Sequence, residues 1–294
     1  MTGRVRGWLR RADRSVPGRR FPLRALVGGD RRANQDHVRA LAKTVTIHPH
    51  MAVTRVLGRY KMYVDPSDYA ISVHLMFDGY WEMWLTEEIA RTVQPGMITA
   101  DIGANLGYFT LLMADLVGPQ GRVVAFEPNG QVTALLRRSL HANGFEDRVA
   151  IASDPLGRTS GEPVNLYFNP EQAGGAFVTS GKRDDFSVGV AMTTRRFDDH
   201  PDAPRVAFAK IDAEGSEEAI WAGMAGALAG TALRTVVMEY CGCRYTDPPG
   251  FVAAMTAHGF TLALLEPDRG LVPVTAEQLL AADPMREWLL VLRR

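Results

Sequence analysis

Apolar and polar positions along this chain follow two rhythms. From Met97 onward, short continuous apolar runs alternate with stretches of helical spacing, the pattern of a sheet buried on both faces. Met97 to Ala100, Arg122 to Phe126 and Arg148 to Ser153 are the first three predicted strands. Val206 to Ile211, Thr235 to Met238, Leu262 to Leu265 and Trp288 to Leu292 bring the total to seven. Helices are predicted from Tyr108 through Ala114, over 130–143 with Asn143-Gly144 as a stop, from Ser216 to about Ala229, and over 250–258. The last two strands are expected to pair antiparallel, because only a loop with a short helix (276–281) separates them.

The rhythm breaks twice. Val164 to Phe168 and Val188 to Thr193, with Gly174-Gly175 between them, predict an antiparallel insertion able to cover a site. Before Met97 the pattern is mixed. Asp36 through Lys43 reads as a helix, Ile47 to Tyr60 as irregular, and Lys61–Val64 and Ile71–Leu75 as short strands around Pro66-Ser67. Thr86 is expected to cap a helix carrying Glu87 and Glu88 in its first turn, with Pro95-Gly96 ending it. The expected architecture is α/β, a mostly parallel seven-stranded sheet with an antiparallel insertion and an N-terminal extension. The chain divides into a basic arm (1–32), a cap or substrate region (33–95) and the main domain (96–294).

Composition narrows the classes. The 294 residues are 46% apolar, enough for one large core, and no apolar run approaches the roughly 18–20 residues of a membrane span. The net charge of zero gives no reason to expect a nucleic acid partner. It hides an asymmetry, since residues 1–32 hold ten arginines against Asp13 and Asp30, a net +8 that leaves −8 elsewhere. That arm reads as a loosely docked leader or as a segment touching an anionic membrane surface or a phosphorylated substrate. It lacks the continuous apolar stretch of a signal peptide. The two cysteines, Cys241 and Cys243, are too close in sequence for an unstrained disulfide, and reduced thiols in a cytoplasmic protein are expected. Oligomeric state is left open, a homo-oligomer included.

Asp101-Ile102-Gly103-Ala104-Asn105-Leu106-Gly107 carries the most chemistry. It forms a glycine-rich turn between a strand and a helix, and Glu127 ends the next strand, where an acid holds a ribose. Asp101 at the mouth of that turn would repel the pyrophosphate of a dinucleotide. It would welcome the cationic amino group and sulfonium of S-adenosylmethionine (SAM), which carries no phosphate. SAM is therefore the expected cofactor, with a dehydrogenase a distant alternative.

These residues resemble the FkbM-type SAM-dependent methyltransferases over roughly 70–240. The likeness rests on Gly79-Tyr80-Trp81-Glu82, on 101–109, on Val124-Ala125-Phe126-Glu127-Pro128-Asn129 and on Gly174-Gly175-Ala176. It continues in Lys210-Ile211-Asp212-Ala213-Glu214-Gly215-Ser216-Glu217 and Val237-Met238-Glu239, and departs at Ser153–Arg158. The resemblance implies a class I, Rossmann-like methyltransferase fold with strand order 3-2-1-4-5-7-6. It also implies O-methylation of a hydroxyl on a polyketide, sugar or glycolipid, a small-molecule acceptor. N- or carboxyl methylation, or a silent SAM-binding partner protein, are the alternatives.

The cofactor residues expected are Asp101, Gly103, Ala104, Asn105, Gly107, Tyr108, Phe109, Glu127, Pro128, Asn129, Asp154 and Asp212, with Glu82 and Thr86 on a segment able to fold over the site. Methyl transfer needs positioning of the acceptor oxygen, and an alcohol also needs a base or a metal. Asp212, Glu214 and Glu239 at the fourth and fifth strand ends are the catalytic candidates, with His74 the best-placed histidine. Three readings stay open. One of these acids is a base; or Asp212 and Glu239 hold a divalent metal such as Mg; or Lys210 or an arginine neutralises them while Glu214 caps the next helix.

Overall fold

The computed structural model describes residues 20–169, 172–180 and 188–294. Its strands are β1 (Thr44–His48), β2 (Met51–Val56), β3 (Tyr60–Val64), β4 (Ile98–Ile102), β5 (Arg122–Phe126), β6 (Val149–Ala152) and β7 (Pro163–Asn169). They continue with β8 (Gln172–Thr179), β9 (Val188–Thr193), β10 (Val206–Ile211), β11 (Thr235–Cys241), β12 (Thr261–Glu266), β13 (Gly270–Pro273) and β14 (Glu287–Arg293).

The main sheet has eight strands in the order β13-β12-β14-β11-β10-β4-β5-β6. Pairing is parallel from β11 through β6, whereas β14 runs antiparallel to both β11 and β12. Read from β6, the first seven strands fall in the order 3-2-1-4-5-7-6, and β13 adds an edge strand that the apolar pattern did not disclose. Apolar cores cover both faces. One holds the helices Met83–Thr92, Tyr108–Val117 and Gly130–Asn143; the other holds Glu217–Ala222, Ala225–Ala229 and Pro248–Thr256. This is why the central strands read as unbroken apolar runs.

The insertion is antiparallel, with order β8-β7-β9. The N-terminal region adds a second three-stranded sheet, β1-β2-β3, whose last strand lies on the helix Gly130–Asn143. There Ser139 Oγ accepts from Tyr63 N at 2.9 Å, and Asn143 brackets the backbone of Lys61. Phe21 and Leu26 are buried in the same core, so residues 20–32 of the basic arm are docked; residues 1–19 lie outside the described residues.

Several local expectations are corrected. Residues 47–60, read as mixed and broken at Pro49 and Gly58, carry β2 (Met51–Val56), and Glu87 and Glu88 lie beyond the first turn of the helix Met83–Thr92. Residues 71–75, read as a strand, belong to the helix Ile71–Phe77. Its first turn is organised by Asp68, whose carboxylate accepts from Ala70 N and Ser72 N at 3.0 and 2.9 Å. The next helix begins at Met83 and Thr86 lies inside it, so Thr86 is no cap: its hydroxyl bonds to Trp81 O. No described helix is long and apolar enough to cross a membrane.

Candidate active site

A cavity of about 370 Å³ opens above the carboxyl ends of β4, β5, β10 and β11. The turn after β4 forms its floor. Gly103 is left-handed (φ 72°), and a Cβ there would lie 1.7 Å from Asp212 O, so only glycine permits the backbone to pass. Asn105 is also left-handed (φ 49°), and its backbone N–H points to Glu127 while its side-chain oxygen accepts from Leu106 N. Glu127 Oε2 accepts from Asn105 N at 2.8 Å and Oε1 from Asn129 N at 2.9 Å. Burial raises its carboxyl to about 7 against those two bonds.

Of the expected cofactor residues, Glu82, Gly103, Ala104, Asn105, Gly107, Tyr108, Phe109, Glu127, Pro128, Asp154 and Asp212 line this cavity. Three do not. Asp101 is fully buried in β4 on the helix side, with Thr110 Oγ1 donating to it at 2.5 Å and Lys210 Nζ 3.8 Å away. It braces the turn from beneath instead of standing at its mouth. Thr86 is buried against the Tyr108 hydroxyl at 3.0 Å, one step behind the wall. Asn129 caps the helix Gly130–Asn143 by accepting from Gln131 N. Each follows from backbone geometry: alternation along β4 turns Asp101 to the helix side, and a cap must face its own helix.

The acids at the ends of β10 and β11 come together as expected, but they arrive paired. Lys210, buried beneath the turn, donates to Gly103 O at 3.1 Å and to Asp212 at 3.0 Å. Burial opposes its charge, yet Asp212 and Asp101 outweigh that and raise its pKa. Arg244 lies 2.8 Å from Glu239 and 3.4 Å from Glu214. The metal assigned to Asp212 and Glu239 is thus replaced by two protein cations, and among the described residues no three His, Cys, Asp or Glu side chains converge on a metal position. Glu214 is no helix cap. The helix Glu217–Ala222 has no side-chain cap; the Glu217 carboxylate instead holds the turn before it, accepting from Ala213 N and Gly215 N at 2.7 and 3.0 Å. His74 is displaced from the chemistry: it sits on the helix Ile71–Phe77, 55% exposed, beside Asp78 and the Trp81 ring.

Burial first, then the neighbouring carboxylates, pushes Glu239 up to about 7 and Glu214 to about 8. Glu82 rises to about 7 for the same two reasons. Glu82 and Glu214 both have left-handed backbones (φ 37° and 51°). For residues with a Cβ this costs about 1–3 kcal/mol each and is retained where position matters.

The reading in which Lys210 or an arginine neutralises the acids is the one the geometry matches, with Arg244 as the arginine that sequence reasoning did not name; the insertion expected to cover a site supplies Leu166, Phe177 and Val178 to the cavity wall. Sequence reasoning missed a second cavity of about 260 Å³. Trp84, Leu265, Glu287 and Trp288 line it, and it shares Glu82, Lys210, Asp212 and Glu239 with the first.

Strand order, glycine turn and the acid after β5 together define a class I SAM-dependent methyltransferase. Residues 101–269 match the methyltransferase FkbM domain, and the chain belongs to that family. Among curated proteins it is 31% identical over 78 residues to the demethylmenaquinone methyltransferase of Symbiobacterium thermophilum. That match covers 26% of this chain and 31% of the relative, so the chain spans about a third of that protein's length. Two solved structures illustrate the likeness. One is a putative rRNA methylase from Clostridium thermocellum, at 16% identity and TM-score 0.44, covering 71% of this chain and 92% of that one. The other is a SAM-dependent O-methyltransferase from Thermotoga maritima, at 12% identity and TM-score 0.39, covering 86% and 85%.

Proposed function

We propose that this methyltransferase acts on a hydroxyl of an uncharged natural-product acceptor, such as a sugar, a glycolipid or a polyketide-type compound. The observation that carries this reading is the acidic rim. Glu82, Asp212, Glu214 and Glu239 border the cavity where an acceptor must meet the methyl group. Such a rim repels phosphate and carboxylate acceptors and suits a neutral alcohol that has to give up a proton. When bound, SAM supplies an electrophilic methyl group on a good leaving group. The chain's own residues hold it: the backbone of 103–109, Glu127 for the ribose, and Asp154 for the adenine amine. The cavity fits that role, because the glycine turn 103–107 and Glu127 line it together, with Glu127 and Asp154 at the ends of adjacent strands. Asp212, oriented by Lys210, and Glu239, oriented by Arg244, accept hydrogen bonds from the acceptor. The free thiols Cys241 and Cys243 are consistent with the cytoplasm as the site of action.

The test is incubation of the full chain with SAM and a panel of p-nitrophenyl hexosides, a rhamnolipid and hydroxylated macrolactones, followed by mass spectrometry and NMR. An O-methyl product is expected. Methylation of amine or carboxyl controls alone would remove the hydroxyl reading.

A further inference from the structure

Glu82, Lys210, Asp212 and Glu239 are the side chains shared by the two cavities, so they form the partition between them. A donor held by the glycine turn and an acceptor entering past Trp84 and Trp288 would meet there. Three of these four groups are already engaged. Lys210 and Asp212 pair at 3.0 Å, and Glu239 pairs with Arg244 at 2.8 Å. The Glu82 carboxylate accepts no hydrogen bond and forms no ion pair among the described residues; only its backbone oxygen accepts, from Thr86 N at 2.9 Å. Its carboxylate is placed by the backbone instead, through the left-handed turn (φ 37°) that leads into the helix Met83–Thr92.

We propose that Glu82 is the general base of the transfer, taking the hydroxyl proton of an acceptor bound in the second cavity. The inference rests on the O-methylation reading above. The acceptor oxygen bonds to the methyl carbon as the carbon–sulfur bond breaks, and that electron pair stays on sulfur as a neutral thioether. The hydroxyl proton passes to a carboxylate oxygen of Glu82 and then to water. The positive charge lost at sulfur matches the negative charge lost at Glu82.

The surroundings fit a base more than a cofactor clamp. Asp212 and Lys210 face Glu82 from β10, Glu239 from β11, Glu287 from β14, and Tyr108 from its helix. Burial and the three carboxylates outweigh Lys210 and bring the carboxyl to about 7, so it can take and release a proton near neutral pH. Asp212, by contrast, is already engaged by the Lys210 ammonium at 3.0 Å.

Glu82→Gln keeps the shape and removes the proton acceptor. Calorimetry with S-adenosylhomocysteine is expected to give an affinity within about threefold of the wild type. Turnover on the hydroxyl acceptor found in the panel is expected to fall about 10²–10⁴-fold, with a residual rate that keeps rising with pH after the wild type has levelled off. Glu82→Asp, which retains a carboxylate, is expected to recover part of the loss. A tenfold weaker S-adenosylhomocysteine affinity, with turnover restored at saturating SAM, would make Glu82 a cofactor ligand and overturn the proposal. Turnover of either variant within about fivefold of wild type, at unchanged pH dependence, would overturn it too. If the wild type methylates no hydroxyl in the panel, the parent reading falls and takes this one with it.

Discussion

Gly103 and Glu127 are where one side chain decides whether the site exists. Gly103→Ala places a Cβ 1.7 Å from a backbone oxygen in a left-handed conformation. Loss of S-adenosylhomocysteine binding and a destabilisation of about 3 kcal/mol or more are expected by calorimetry and urea denaturation. The raised carboxyls make a second prediction. Glu82, Glu127 and Glu239 are at about 7 and Glu214 at about 8, against an ordinary 4.5. An acid raised in the native state binds its proton more tightly folded than unfolded. Its stabilising contribution is full below the ordinary value and is lost as pH rises through the native one. Urea midpoints should therefore fall between about pH 5 and about pH 8, and Glu214→Gln should flatten that decline. An equally steep decline in the variant would refute the assignment.

Between residues and fold, short elements were settled by contacts that a local pattern does not contain. Ile71-Ser72-Val73-His74-Leu75 alternates like a strand, yet two backbone N–H groups captured by the buried Asp68 start a helix there. Asp68→Ala should cost about 1–2 kcal/mol, read as a lower urea midpoint at unchanged slope. The insertion shows the opposite case. Two of its three strands, β7 and β9, were visible as apolar runs and do pair antiparallel, while β8 runs through the Gly174-Gly175 stretch that carried no such run; its position over the cavity agrees with Leu166 and Phe177 in the wall. Asp101 was legible as important and misread in direction, since a strand's alternation tells which residues share a face without telling which face meets the ligand.

Across the whole molecule, the N-terminal sheet and the main sheet share one core, running from Phe21 through Val149 and on to β14. Residues 96–294 expressed alone should lose cooperative unfolding, because Val56, Met62 and Leu75 would leave their partners bare. In the intact chain, S-adenosylhomocysteine at about 100 times its Kd should add about 2.7 kcal/mol of stability. That corresponds to a Tm rise of about 5–10 °C, whereas NADH should give none.

The seven main-sheet strands with the helices between them, the glycine turn, Glu127 and the acids after β10 and β11 could be read along the chain. Each is a local matter of periodicity, of φ above zero, or of a residue type at a strand end. Which arginine meets Glu239, the reach of Lys210 to Gly103 O, the retreat of Asp101 and the unengaged carboxylate of Glu82 among the described residues could not be read that way. Lys210 reaches Gly103, more than a hundred positions away, only because β4 and β10 lie side by side, whereas Arg244 meets Glu239 through the short 3-10 turn that follows β11. Charge pairing is a property of space, so the folded arrangement assigns partners to these acids and, among the described residues, leaves the Glu82 carboxylate without one.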